Sequence, residues 1–201
     1  MIDLPAIRKR LAAYDGKSIV PSRDTRQAAV AVVLRELSGA TEILFIKRAV
    51  KRGDPWSGQM AFPGGHRDGT DSGLKQAAMR ETLEEVGLDL ERESYLGALD
   101  HQWAAPRERR LDMLIAPHVF EVVGDPRFVL NYEVDEAVWA PLGPLLRNDA
   151  HDTETLSITG TPTVFNGYRL AGGHFVWGLT YRMLKDFFRA LDPDWSEADR
   201  E

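Results

Sequence analysis

Phe62-Pro63-Gly64-Gly65-His66-Arg67-Asp68-Gly69-Thr70-Asp71, then eight residues, then Arg80-Glu81-Thr82-Leu83-Glu84-Glu85-Val86-Gly87-Leu88: the reading of the chain turns on this stretch. A Gly-rich loop runs into three glutamates placed within five positions. At about 100° per helical residue, Glu81, Glu84 and Glu85 share one narrow arc. A solvated helix face normally sets a lysine four residues from a glutamate, but Glu81 is followed at that spacing by Glu85, a like charge. The mutual repulsion calls for a cation. Pro63-Gly64-Gly65 also lets the backbone approach this face, because glycine carries no side chain to block it.

Hard divalent cations such as Mg2+ or Mn2+ favour carboxylate and carbonyl oxygens and keep several waters. A carboxylate cluster beside a loop carbonyl supplies such ligands, and the chemistry suggested is metal-assisted hydrolysis of a phosphoric anhydride. Arg80 adjoins the cluster and is expected to orient a glutamate through a charge-assisted hydrogen bond.

Working outward, the chain carries both strand-like and helix-like patterns. Asp3 is placed to cap a helix starting near Pro5, with Leu4, Ile7 and Leu11 at helical spacing. Residues 27–35 and 42–48 read as largely buried strands joined by a hairpin at Ser38-Gly39. A short strand is expected at 59–62, and further strands at 95–102, 111–122 and 137–140. In the glutamate helix, Leu74, Ala78, Thr82, Leu83 and Val86 are expected to pack, with Gly87 as a left-handed cap. Asn166-Gly167 is a hairpin signal. A last helix is expected over 177–191, striped by Trp177, Tyr181, Leu184, Phe188 and Leu191. The domain reading is a helical extension at 1–24, a catalytic domain at 25–191 and a frayed acidic tail at 192–201.

The chain has 201 residues, 43% hydrophobic and 28% charged, enough for one domain with a sizeable core. With 25 basic and 31 acidic residues the net charge is −6, which argues against non-specific binding to nucleic acid or anionic membrane. The absence of cysteine excludes disulfides and thiolate-bound zinc. The longest apolar run, residues 28–34, is too short to span a bilayer, and the N-terminal pattern does not suit a secretory signal. A cytoplasmic protein is expected, and a homodimer is compatible with this composition.

The opening stretch resembles the signature of the Nudix hydrolases, Gx5Ex7REUxEExGU with U aliphatic. Gly65, Arg80, Glu81, Glu84, Glu85, Gly87 and Leu88 match it. Asp71 stands where the first glutamate belongs, Thr82 replaces an aliphatic residue, and the spacer has eight residues instead of seven. The resemblance implies an α/β/α sandwich with a mixed central sheet. It also implies metal ligation by Glu81, Glu85 and the Gly64 carbonyl, with Glu84 on a further ion or bound through water, and loop support from Asp71. Glu84 and Glu81 are the candidate general bases.

The longer spacer, Asp71, and the approach from Gly58 to Gly65 resemble the coenzyme A pyrophosphatase branch, which often carries LLTxRSxxxRxxxGxxxFPGG upstream. Arg48 fits that pattern, Ala49 replaces its serine, and Arg52 is offset by one residue. Trp177-Gly178-Leu179-Thr180 also resembles the branch. The substrate-binding set so implied is Arg48, Arg52, Gly65 and Trp56, with a small-molecule nucleotide or coenzyme A as partner. Lys47, Lys51, Arg107, Arg109 and Arg110 are further basic candidates. Trp56 and Trp103 suit either adenine stacking or loop packing. His66 adjoins the loop as a phosphate candidate. Glu133 and Glu136 precede a strand within reach of the site, with a solvated loop as their expected role. Other nucleoside diphosphate derivatives, capped RNA, or a non-catalytic nucleotide-sensing module remain the alternative readings.

Overall fold

Residues 28–34 and 43–46 are apolar at every position, the mark of strands covered on both faces. The computed structural model, which describes residues 2–51, 56–104, 113–157 and 160–197, places them in β1 (Arg26–Leu37) and β2 (Ala40–Arg48). Side chains alternate across a strand. On β1, Ala28, Val32 and Leu34 therefore enter one core, while Ala29, Ala31 and Val33 enter the other. Ile43 and Phe45 of β2 join the first core, and Leu44 and Ile46 the second. Ser38 and Gly39 turn the hairpin with φ of 52° and 78°, the positive values a tight two-residue loop needs.

The sheet is mixed around β1. β7 (Met113–Glu121) runs parallel to it, with Ala28 opposite Ile115. On its other side β1 changes antiparallel partner midway: residues 34–37 pair with β2, and residues 28–30 with β4 (Gly64–His66). The main strand order is β3–β2–β1–β7–β5, with β3 at Met60–Ala61 and β5 at Ser94–Ala98. β6 (Gln102–Trp103) pairs with β7, and β8 (Val134–Pro141) with β2. The strand expected over 95–102 is thus divided in two.

α2 (Leu74–Val86) covers one face, where Ala77 and Ala78 let it lie close to the sheet. A short α3 (Leu142–Leu146) follows β8, and the other face is covered by α1 (Leu4–Ala12) and α4 (Gly178–Leu191) through Leu4, Ile7, Leu11, Leu184, Phe187 and Phe188. This is the expected α/β/α sandwich. Asp3 caps α1 by accepting a 2.9 Å bond from the Ala6 N–H, and Gly87 ends α2 at φ 72°. Among the described residues no helix is long and apolar enough to cross a membrane.

Three expectations are corrected. Asn166-Gly167 is not a turn: β10 (Pro162–Arg169) runs straight through it, between β9 (His151–Ser157) and β11 (Phe175–Trp177). A Cβ at 167 would lie 2.3 Å from the Val176 carbonyl oxygen and 2.7 Å from the Phe175 ring, so the glycine serves close strand approach. On α2, Leu83 is 50% exposed while Glu85 is only 2% exposed. The segment after Pro193 is docked as far as Glu197: Trp195 Nε1 donates to the Leu146 carbonyl at 2.7 Å, and Lys185 and Tyr181 both bond Glu197.

Candidate active site

The two loop glycines are required by contact on either side. A Cβ on Gly64, whose φ is 150°, would fall 2.3 Å from the Ala29 carbonyl oxygen. One on Gly65 would fall 2.5 Å from Glu81 Cδ. The loop therefore threads between β1 and the glutamate face of α2. There the Gly64 N–H donates a 2.8 Å bond to Glu85 Oε2. Arg48 faces this carboxylate, its Nη1 4.0 Å from Glu85 Oε1. Burial pushes the Glu85 carboxyl up to about 8; the Gly64 N–H and Arg48 oppose this, while Glu81 and Glu133 add to it. Burial raises Glu81 as well, against the pull of Arg80.

Arg80 organises the loop. Its Nε and Nη2 each donate a 3.0 Å bond to Asp71, its Nη2 also reaches the His66 carbonyl at 2.9 Å, and its Nη1 bonds Glu81 at 3.0 Å and Glu84 at 3.2 Å. Asp71 in turn accepts a 2.7 Å bond from the Asp68 N–H, and its bond to Arg80 holds it below the usual carboxylate range. The shorter side chain at 71 is thus matched to the arginine.

A cavity of about 320 Å³ brings together Arg48, Trp56, Gly64, Gly65, Glu81 and Glu85. It borders the point where β1 changes partner, and Leu179, Thr180 and Met183 of α4 close another side. His66 also reaches it. Glu84 does not line it: its side chain is 54% exposed and bonded to Arg80. Trp103 is exposed on β6, and its carbonyl accepts from Arg182. Arg52, Arg107, Arg109 and Arg110 lie outside the described residues.

Glu133 corrects the expectation of a solvated loop, because it lines the cavity. The C-terminus of α2 places it there. The Glu85 and Val86 carbonyls accept from Asn131 and Val129, Asn131 Oδ1 accepts from the Glu133 N–H, and the Glu133 carbonyl accepts from Ala49. The local sequence signal is slight, an Asx turn ahead of a strand. Glu136 instead meets His174 at 3.3 Å.

The donor set has the chemistry of a hard divalent cation: carboxylates of Glu81, Glu85 and Glu133 about one cavity, with the Gly64 backbone at its edge. A buried, undercompensated carboxylate such as Glu85 is what a cation would stabilise. Among the described residues no three acidic or histidine side chains already close around a point that could hold an ion. The fit is one of donor chemistry, suited to an ion that retains waters.

Residues 25–157 match the sequence model of the NUDIX domain, and the chain belongs to the Nudix family. Two curated proteins are similar over much of its length. One is the human mitochondrial coenzyme A diphosphatase NUDT8, 32% identical over 83% of this chain and 70% of that protein. The other is an uncharacterized fission-yeast protein, C14C4.10c, 34% identical over 64% of this chain; the match spans less than half of that protein, 45%. Among solved structures, a MutT/nudix family protein from Enterococcus faecalis superposes with a TM-score of 0.57 at 16% identity, covering 95% of this chain and 70% of that one, a likeness of fold.

Proposed function

We propose that this Nudix enzyme hydrolyses the diphosphate of coenzyme A or its thioesters, releasing 3′,5′-ADP and 4′-phosphopantetheine or its acyl form. The observation that carries the reading is the single cavity in which buried Glu85 and half-buried Glu81 meet Arg48 and Trp56. The 32% identity to a coenzyme A diphosphatase supports the substrate. Water oxygen bonds to one phosphorus, the bridging P–O bond breaks, and the bridging oxygen leaves on the other phosphate. Glu81, half-buried at the wall of the cavity, accepts the proton from water. Glu85, Glu81 and the Gly64 carbonyl hold Mg2+ or Mn2+, which offsets the diphosphate charge when bound. Arg48 meets the diphosphate, Gly65 gives it room, and Trp56 stacks the adenine. Arg80 positions Glu81, and Glu84 balances Arg80 from the solvent side.

A panel of coenzyme A, acyl-coenzyme A, ADP-ribose, an oxidised nucleotide and capped RNA, with product detection, tests this reading. The expected result is Mg2+- or Mn2+-dependent release of 3′,5′-ADP. Strong turnover of ADP-ribose with none of coenzyme A would reverse the substrate order. Nucleotide binding without any metal-dependent hydrolysis would make the chain a sensing module.

A further inference from the structure

A second concave surface, of about 520 Å³, adjoins the cavity. It lies mainly on the sheet of β9, β10 and β11, of which β10 and β11 fall beyond the matched NUDIX residues. The two share Gln59 and Met60 as a common wall. On the facing segment, Trp177 lines the groove, and Leu179 and Thr180, two and three residues on, line the cavity. Thr180 Oγ1 donates to the Met60 carbonyl at 3.2 Å and ties the two segments together. A ligand lying across Gln59 and Met60 occupies both.

The charges of the groove select what enters. Arg169 is already matched: Nε donates to Asp152 at 2.9 Å, Nη1 meets Glu154 at 2.7 Å and the Gly173 carbonyl at 3.1 Å, and the guanidinium lies 4.6 Å from the Phe175 ring centre. A phosphate would meet the Glu154 carboxylate without gaining an unmatched arginine. Leu156, Phe175 and Trp177 supply apolar surface, and Ser57 and Ser157 supply polar groups. This lining suits an uncharged chain with amide groups.

We infer that the groove between Gln59–Met60 and the C-terminal three-stranded sheet is the subsite for the pantetheine arm of the substrate and any acyl group on it, leaving the adenosine side to the Arg48–Trp56 cavity. The assignment rests on the coenzyme A reading above and extends it to specificity. Leu156→Trp, at a residue that does not line the Glu81–Glu85 cavity, narrows the groove from the edge strand β9. It is expected to raise the inhibition constant of 4′-phosphopantetheine about tenfold or more, equivalent to about 1.4 kcal/mol, and that of 3′,5′-ADP less than twofold. Equal effects on both products would overturn the assignment.

Titration of the wild-type protein with 4′-phosphopantetheine, followed by amide NMR, reads the same point without turnover or a variant. Shifts at Leu156, Phe175 and Trp177 are expected. If those amides respond to 3′,5′-ADP instead, or to neither product, the subsite is wrong even where coenzyme A is hydrolysed. If they respond to 4′-phosphopantetheine in a protein that does not hydrolyse coenzyme A, the subsite stands and the substrate reading falls.

Discussion

Glu85 and Arg169 each stand at the wall of a concave surface, and the fold compensates them to very different degrees. Glu85, 2% exposed, has one backbone N–H and a guanidinium no closer than 4.0 Å. Arg169, a third exposed, has two carboxylates, a carbonyl and an aromatic ring around it. A charge with its full set of partners holds surface strands together. A charge short of partners in a dry place retains free energy that an incoming ion or substrate can release. The contrast supports the proposed division between a reactive cavity and a groove whose charges are already matched.

The widest separation is expected from Glu85→Gln. The amide can still accept from the Gly64 N–H and is cheaper to bury than a carboxylate, so the melting temperature of the metal-free protein should not fall. Metal-dependent turnover should drop by about 10³-fold or more, and near-full activity in steady-state assays would sink the mechanism. Gly64→Ala tests the loop against the sheet. Its Cβ meets backbone on β1, so a loss of about 3 kcal/mol or more is expected in denaturant unfolding. Gly65→Ala is the milder partner of that test. The three atoms nearest its Cβ all belong to the movable end of Glu81, and turnover should fall while stability holds.

A third way of handling charge, remaining neutral, is seen at His118. Burial lowers its pKa to about 4, with His101 and Lys75 contributing, and Tyr95 OH lies 3.0 Å from its Nδ1. Below the ordinary 6.5 the unfolded chain takes up a proton that the folded chain refuses. Stability should therefore fall as pH drops from about 6.5 to about 4, by up to about 3 kcal/mol. His118→Leu should flatten that part of the unfolding–pH curve. The smallest effect is expected at the compensated site: Arg169→Leu should lower Tm by only about 2–4 °C, because half-exposed pairs are screened by water.

What could be read in advance follows the range of the interactions. The Asp3 cap, the Ser38-Gly39 turn, the Gly87 stop and the glutamate cluster are all set by neighbours within a few residues. Their chemistry was written in order along the chain. Asn166-Gly167 has the local form of a turn, but the reason for Gly167 is a strand ten residues later, pressed within 2.3 Å of where a Cβ would be. Leu83 fitted the helical stripe, yet the arc turned to the sheet is led by Ala77 and Ala78 and leaves Leu83 in solvent. Glu133 reaches the cavity through hydrogen bonds from the end of α2, 47 residues before it in the chain, a distance that the slight Asx-turn signal does not encode. The groove needed three strands in register before it existed at all.

The bond from Thr180 to the Met60 carbonyl carries a consequence for how the enzyme is made. Leu179, Thr180 and Met183 wall a cavity whose helix glutamates, Glu81 and Glu85, are translated roughly a hundred codons earlier. A nascent chain can pair β1, β2 and β4 and bring the glutamates to the loop while it is still on the ribosome. It cannot close the cavity until its final helix has emerged. Synthesis thus delivers the helix glutamates long before the wall that completes the cavity around them.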